Sequence, residues 1–191
     1  IVQGYPDGTF RPATRINRYD YLKIIIAARY AQAEITACDS RRYRFADVPQ
    51  GHWSEPYLCV AKRDSIVNGY GKGLYGGYDP VNLAQALKIV LESHDTALPT
   101  ATVGEAWYAP YLQAAQARDL LVLISEDPDY QVRRGDMALL VYRMDAAADS
   151  TSQTPIPTST PSPTRSDTAK VELPAAYPTV PALPPDPTPN P

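Results

Sequence analysis

The chain has 191 residues, with 18 basic against 21 acidic side chains and a formal net charge of -3. That length holds one good domain or several small repeats on a shared core, and that balance gives no long-range pull toward nucleic acid or an anionic membrane. Two cysteines are too few for a disulfide-dense scaffold and lack the spacing of a zinc cluster, and no stretch is long and apolar enough to span a bilayer.

The chain opens at Ile1 in what reads as the middle of a motif, so its first unit is expected to be incomplete. The loop GYPDGTFRPATRIN (4–17) comes first. Pro6-Asp7-Gly8 is a tight-turn signal, Thr9 and Phe10 allow a brief extended piece, and Pro12 stops it. A helix is predicted over INRYDYLKIIIAARYA (16–31), with Asn17 as N-cap, Asp20 at N3, and an apolar stripe of Leu22, Ile25 and Ile26. Without a preceding helix that stripe needs cover from later units, from upstream sequence or from another subunit.

A shorter helix is predicted to follow Ser54, with Pro56 in its first turn, where a missing N–H costs little. Its buried side is Tyr57, Leu58, Ala61 and Ile66. The loop GYGKGLYGGYDPVN (69–82) equals the first in length, and a helix over 81–95 repeats the cap with Asn82 and Gln85. Its stripe is Leu87, Val90 and Leu91. A third loop, 123–133, is shorter and has lost the glycines; the helix after it, 132–146, carries Arg133 and Asp136 where the cap would be, and that cap is poor. From 149 to 191 the composition shifts: twelve of the twenty prolines lie there, which predicts an extended linker or stalk.

Residues 1–148 are internally repetitive. Trp53, Pro56, Tyr57 and Leu58 recur 54 residues later as Trp107, Pro110, Tyr111 and Leu112. A repeat at this period means stacked helix-loop-helix units that cannot bury their apolar faces alone. The units fall at 1–44, 45–100 and 101–148. FADVPQGHW, SIVNGY, GYPDGTFRP and INRYD together resemble the S-layer homology family. The resemblance implies an all-α fold of three tandem repeats in a three-pronged bundle, with short extended pieces in the loops. It also implies an extracellular place on the bacterial surface, and grooves that bind secondary cell-wall polysaccharide, often pyruvylated.

Carried over residue by residue, the family's basic residue at the second helix falls on Arg18, on Leu83 in the second unit and on Arg134 in the third. The loop arginine falls on Arg11, and on Gly76 in the second unit. A guanidinium fork suits the carboxylate of an acidic sugar, and aromatic rings can cover a sugar face. Arg18 with Arg11, Tyr5 and Trp53 makes the expected glycan cluster, with Arg134 as a further contact. The bland alternatives are a surface ion pair of Arg18 with Asp20 or Asp7, and Trp53 and Trp107 as packing at helix starts. Self-association or assembly with other surface subunits is the rival function. A substrate-binding part of a larger extracellular hydrolase is a third reading.

No enzyme is read from the sequence. His52 and His94 lie in different units without triad or metal partners at motif spacing. SEDPDY (125–130) lacks the ordered positions of a calcium loop, and GYGKGLYGG lacks a phosphate loop's Lys-Ser/Thr ending. No cofactor and no metal is expected. Cys38 lies in the longest connection between units and Cys59 on the following helix. An oxidising location favours their pairing; the alternative is a buried free thiol at Cys59 and an incidental Cys38.

Overall fold

The structure, a computed structural model, describes residues 4–151, with side chains through Ala146. Of the expected stalk at 149–191, residues 149–151 continue the last helix instead; the rest lies outside the described residues. The architecture is helical with no sheet among the described residues: α1 (Arg18–Arg29), α2 (Gln32–Ala37), α3 (Glu55–Arg63), α4 (Leu83–Ser93), α5 (Ala109–Gln116) and α6 (Arg134–Thr151). A 3-10 turn covers Gly71–Gly73. Among the described residues extended backbone pairs in isolated bridges: Tyr70 with Leu74 inside the second loop, and, between units, Arg15 with Arg133, Asn17 with Pro80 and Asn82 with Gln131.

The three bridges between units close a ring. Ile16 N–H donates to Val132 O (3.1 Å), Val132 N–H to Val81 O (3.0 Å) and Val81 N–H to Ile16 O (3.1 Å). All three side chains are buried. Each lies two residues before one of the long helices, so α1, α4 and α6 start from one point.

The ring also solves the problem of helix beginnings, whose first N–H groups have no partner inside the helix. Arg18, Leu83 and Arg134 donate to Asp79 O, Tyr130 O and Thr14 O. Tyr19, Ala84 and Gly135 donate to Gly77 O, Pro128 O and Pro12 O. The third N–H is taken locally at two starts. Asn17 accepts from Asp20 N–H at 2.8 Å, and Asn82 with Gln85 forms a reciprocal box. At α6 the cap is reversed: Arg133 N–H donates to the Asp136 carboxylate.

Packing follows from the amphipathic stripes. α3 lies on α1, α5 on α4, and α1, α4 and α6 meet one another. Leu22, Ile25 and Ile26 are buried, as are Leu87, Val90 and Leu91. The cover that the first stripe needed therefore comes from within the described chain, chiefly α3 and α4. Burial of α1 is wider than the expected stripe, because Tyr19, Tyr21 and Ile24 are inside too. Tyr21 keeps its hydroxyl satisfied by donating to Ala86 O at 2.9 Å, and burial pushes its ionisation well above the ordinary tyrosine range.

The long connection contains a helix, α2, that no periodicity predicts. α2 anchors itself by one buried residue, Ile35, and by a disulfide. Cys38, at the end of α2, is bonded to Cys59 on α3, with Cα atoms 6.0 Å apart. The expected pairing is present, and Cys59 is buried.

Candidate functional site: a groove with a buried arginine

The first two loops build the same seat twice. Tyr5 N–H donates to Thr9 O, and Tyr70 N–H to Leu74 O. Each turn presents two rings, Tyr5 and Phe10 in one, Tyr70 and Tyr75 in the other. An arginine from a neighbouring helix start enters each. Arg18 packs its guanidinium over Tyr70 (4.8 Å) and Tyr75 (4.7 Å), and its Nε donates to Tyr75 O at 3.1 Å. Arg134 does the same over Tyr5 (4.9 Å) and Phe10 (5.0 Å), with Nε to Phe10 O at 3.0 Å. Leu83 stands at the third start and is buried.

This arrangement regroups the expected cluster. Arg18 does not meet Arg11, Tyr5 or Trp53; it sits in the second loop. Arg11 and Tyr5 belong with Arg134. The Arg11 guanidinium covers Tyr5 at 4.0 Å and pairs with Asp7 at 2.6 Å. Arg11 and Thr9 hold the Asp7 carboxyl far below its usual range, the Thr9 hydroxyl contributing most. Trp53 stands apart beside Tyr19, His52 and Lys23. Both tryptophans touch rings near helix starts, Trp53 on Tyr19 and Trp107 on Tyr108 and Tyr111, and both stay partly exposed, 42% and 57%.

Arg18 lines an open groove of about 420 Å³, together with Asn68, Tyr70, Gln85, Lys88 and Trp107 over a floor of Ile66, Val67 and Ile89. Arg18 is only 5% exposed, and among the described residues it forms no ion pair. Asp47 feels its charge, but that carboxylate is engaged elsewhere, accepting from Tyr75 N–H (2.8 Å) and Gly76 N–H (2.7 Å). The surface bridge to Asp7 or Asp20 is absent: Asp7 takes Arg11, and Asp20 accepts from Asn17 Nδ2. A buried charge without an ion pair is costly unless other groups compensate. Two ring faces and one carbonyl do so in part, and the rest of the fork opens on the groove.

Lys88 adds a second cation. It lies 3.3 Å from Glu92 and 3.4 Å from the Tyr111 hydroxyl, which donates to the same Glu92 carboxylate at 2.6 Å. Burial, then that carboxylate, pushes the Tyr111 phenol far above its ordinary range. A second concavity of about 470 Å³ beside the disulfide is lined by Arg41 and Arg44 against Asp39 and Glu55, so its charges oppose one another. Among the described residues no three His, Cys, Asp or Glu side chains are grouped to hold a metal ion, and no helix is long and apolar enough to cross a membrane.

The sequence reading missed Tyr70, Gln85 and Lys88 as groove residues and Tyr75 as the buried ring against Arg18, and it weighed Trp107 only as packing. The signal was there: the equal loops put Tyr70 and Tyr75 65 residues after Tyr5 and Phe10.

The S-layer homology domain family matches residues 1–22 and 44–87. The chain is similar to a cell surface protein of Thermoanaerobacter kivui, 29% identical over 152 residues, covering 75% of this chain and 18% of that protein. It is also similar to an uncharacterised cell wall amidase of Bacillus anthracis, 26% identical over 93 residues, covering 49% of this chain and 17% of the relative. Cell surface glycoprotein 1 of Acetivibrio thermocellus is 20% identical over 96 residues, covering 47% of this chain and 4% of that protein. The chain thus spans less than a fifth of each of these relatives.

Proposed function

We propose that the chain is a non-catalytic anchoring module of the bacterial cell surface, three repeats of one helix-loop-helix plan, which holds its protein to the envelope by binding an acidic wall polysaccharide in the Arg18 groove. The observation that carries the reading is Arg18 itself, a buried guanidinium that has no ion pair among the described residues and lines a concavity. A carboxylate-bearing sugar, such as a pyruvate ketal, would supply the missing anion in paired geometry. Lys88 extends the positive wall, and Tyr70 and Trp107 offer ring faces to the sugar. The family match over the two segments and the surface names of the relatives support the location.

The test is sedimentation with purified cell wall, with wall lacking the acidic substituent as control. Arg18→Gln should reduce binding about tenfold or more, the scale of one charge-assisted bidentate contact. Because Arg18 also braces the second loop, Lys88→Gln serves as the companion, with loss of several-fold and an unchanged melting temperature. Full binding by both variants, or equal binding to both walls, would overturn the assignment.

A further inference from the structure

Asn68 and Gly69 lie on the wall of the Arg18 groove, between α3 and the second loop, and theirs is the only Asn-Gly pair in the chain. The fold clamps this segment at both ends. Val67 N–H donates to Ala61 O at 3.1 Å, and Tyr70 N–H donates to Leu74 O at 2.6 Å. Between the clamps, among the described residues, neither the Gly69 N–H nor the Asn68 carboxamide has a hydrogen-bond partner. Asn68 is exposed and outside any helix.

The other two described asparagines are occupied. Asn17 Oδ1 accepts from Asp20 N–H at 2.8 Å, and the N–H that follows it, of Arg18, donates to Asp79 O at 3.0 Å. Asn82 Oδ1 accepts from Gln85 N–H at 3.0 Å, and the N–H of Leu83 donates to Tyr130 O at 2.8 Å. Gly69, for its part, has no substitute. Its φ is +72°, and an added Cβ would collide with Leu74 O and the Phe45 ring. The fold thus imposes, directly after an exposed asparagine, the one residue whose missing side chain leaves its backbone nitrogen open to the preceding carboxamide.

We infer that Asn68 is a site of spontaneous deamidation, and that its product closes the Arg18 groove. The deprotonated Gly69 nitrogen attacks Cγ of Asn68. The N–Cγ bond forms, the Cγ–Nδ2 bond breaks, and Nδ2 leaves as ammonia with the proton that the Gly69 nitrogen lost. Water then opens the succinimide, at Cγ to give aspartate or at the backbone carbonyl to give isoaspartate. No other reactant enters. Arg18 and Lys88, in the same groove, favour the negative charge that develops on the attacking nitrogen and on the carbonyl oxygen. They also set the consequence. The new carboxylate stands in a groove whose buried cation, Arg18, has no ion pair among the described residues, so an internal anion takes the place of an acidic sugar. The chemistry stands on its own; its effect, an anchor that loosens with age, rests on the wall-glycan reading.

The full chain is held folded in warm, mildly alkaline buffer for weeks and sampled by peptide mass mapping, with isoaspartate read by methyltransferase labelling. Asn68 should gain the mass of amide-to-acid exchange and the label, while Asn17 and Asn82 keep their amides. Conversion at Asn68 no faster than at those two overturns the site. Closure is tested with Asn68→Asp against Asn68→Ser. The first should melt higher at low salt, with the gap narrowing at high salt, and should sediment with cell wall several-fold less, while the second binds like the fresh chain. Equal melting of the two variants, or equal wall binding by them, overturns closure. A fresh chain that fails to bind wall at all defeats the anchoring proposal alone, and the mass and melting results still decide this one.

Discussion

Asp47 and Arg18 hold the second loop from opposite sides. Asp47, the acid of the FADV motif, accepts from the N–H groups of Tyr75 and Gly76, while Arg18 Nε donates to Tyr75 O and the Tyr75 hydroxyl donates back to Arg18 O at 3.0 Å. Burial raises the Asp47 carboxyl, but the two backbone donors outweigh it and leave it below the usual aspartate value. A depressed folded-state value stabilises the fold above the unfolded pKa. That contribution is lost as pH falls below about 4 and through the folded value. The side chain is exposed, so water screens the effect. Asp47→Asn should therefore flatten the acid limb of a stability-versus-pH curve below about pH 4; an unchanged limb would remove Asp47 from the account. Arg18 was legible in the sequence as a residue, and its partners were not. A side chain at the first helical position was expected to face the loop before it. The first N–H groups of α1 bond to the neighbouring loop instead, and the side chain follows its backbone there.

Helix boundaries and caps could be read from Asn17, Asn82 and Pro56, because each has one local mechanism. α2 could not. Its six residues, QAEITA, bury only Ile35, which leaves no periodicity to detect. So short a helix is not stable alone; Ile35 and the Cys38–Cys59 bond retain it. The bond closes a separation of 21 residues, which removes about 3 kcal/mol of unfolded-state entropy before any strain. Cys38→Ser with Cys59→Ser should lower unfolding free energy by about that amount in denaturant titration. Hydrogen exchange should speed first in α2, ahead of α1 and α4. Uniform exchange across all helices, or no loss of stability, would contradict this picture.

The whole molecule depends on contacts that no local pattern specifies. Ile16, Val81 and Val132 look like ordinary apolar residues before a helix cap, and only the closed structure shows that each completes the others' hydrogen bonds. A chain ending at residue 100 keeps α1 to α4 but lacks Val132, and so loses two of the three ring bonds. It also lacks Met137, Leu140 and Met144, which are buried in the core. Its thermal melt should be broad or absent, where the full chain gives a single sigmoidal transition; an equally steep melt at the same temperature would show the ring to be dispensable. The ring has one more property. Extended backbone normally ends at an edge, a row of open donors and acceptors that can recruit another chain. Here three extended residues from three parts of the chain spend their N–H and C=O groups on one another, and the circuit has no first or last member. These extended segments present no edge for another chain to join, and so no template from which aggregation could grow.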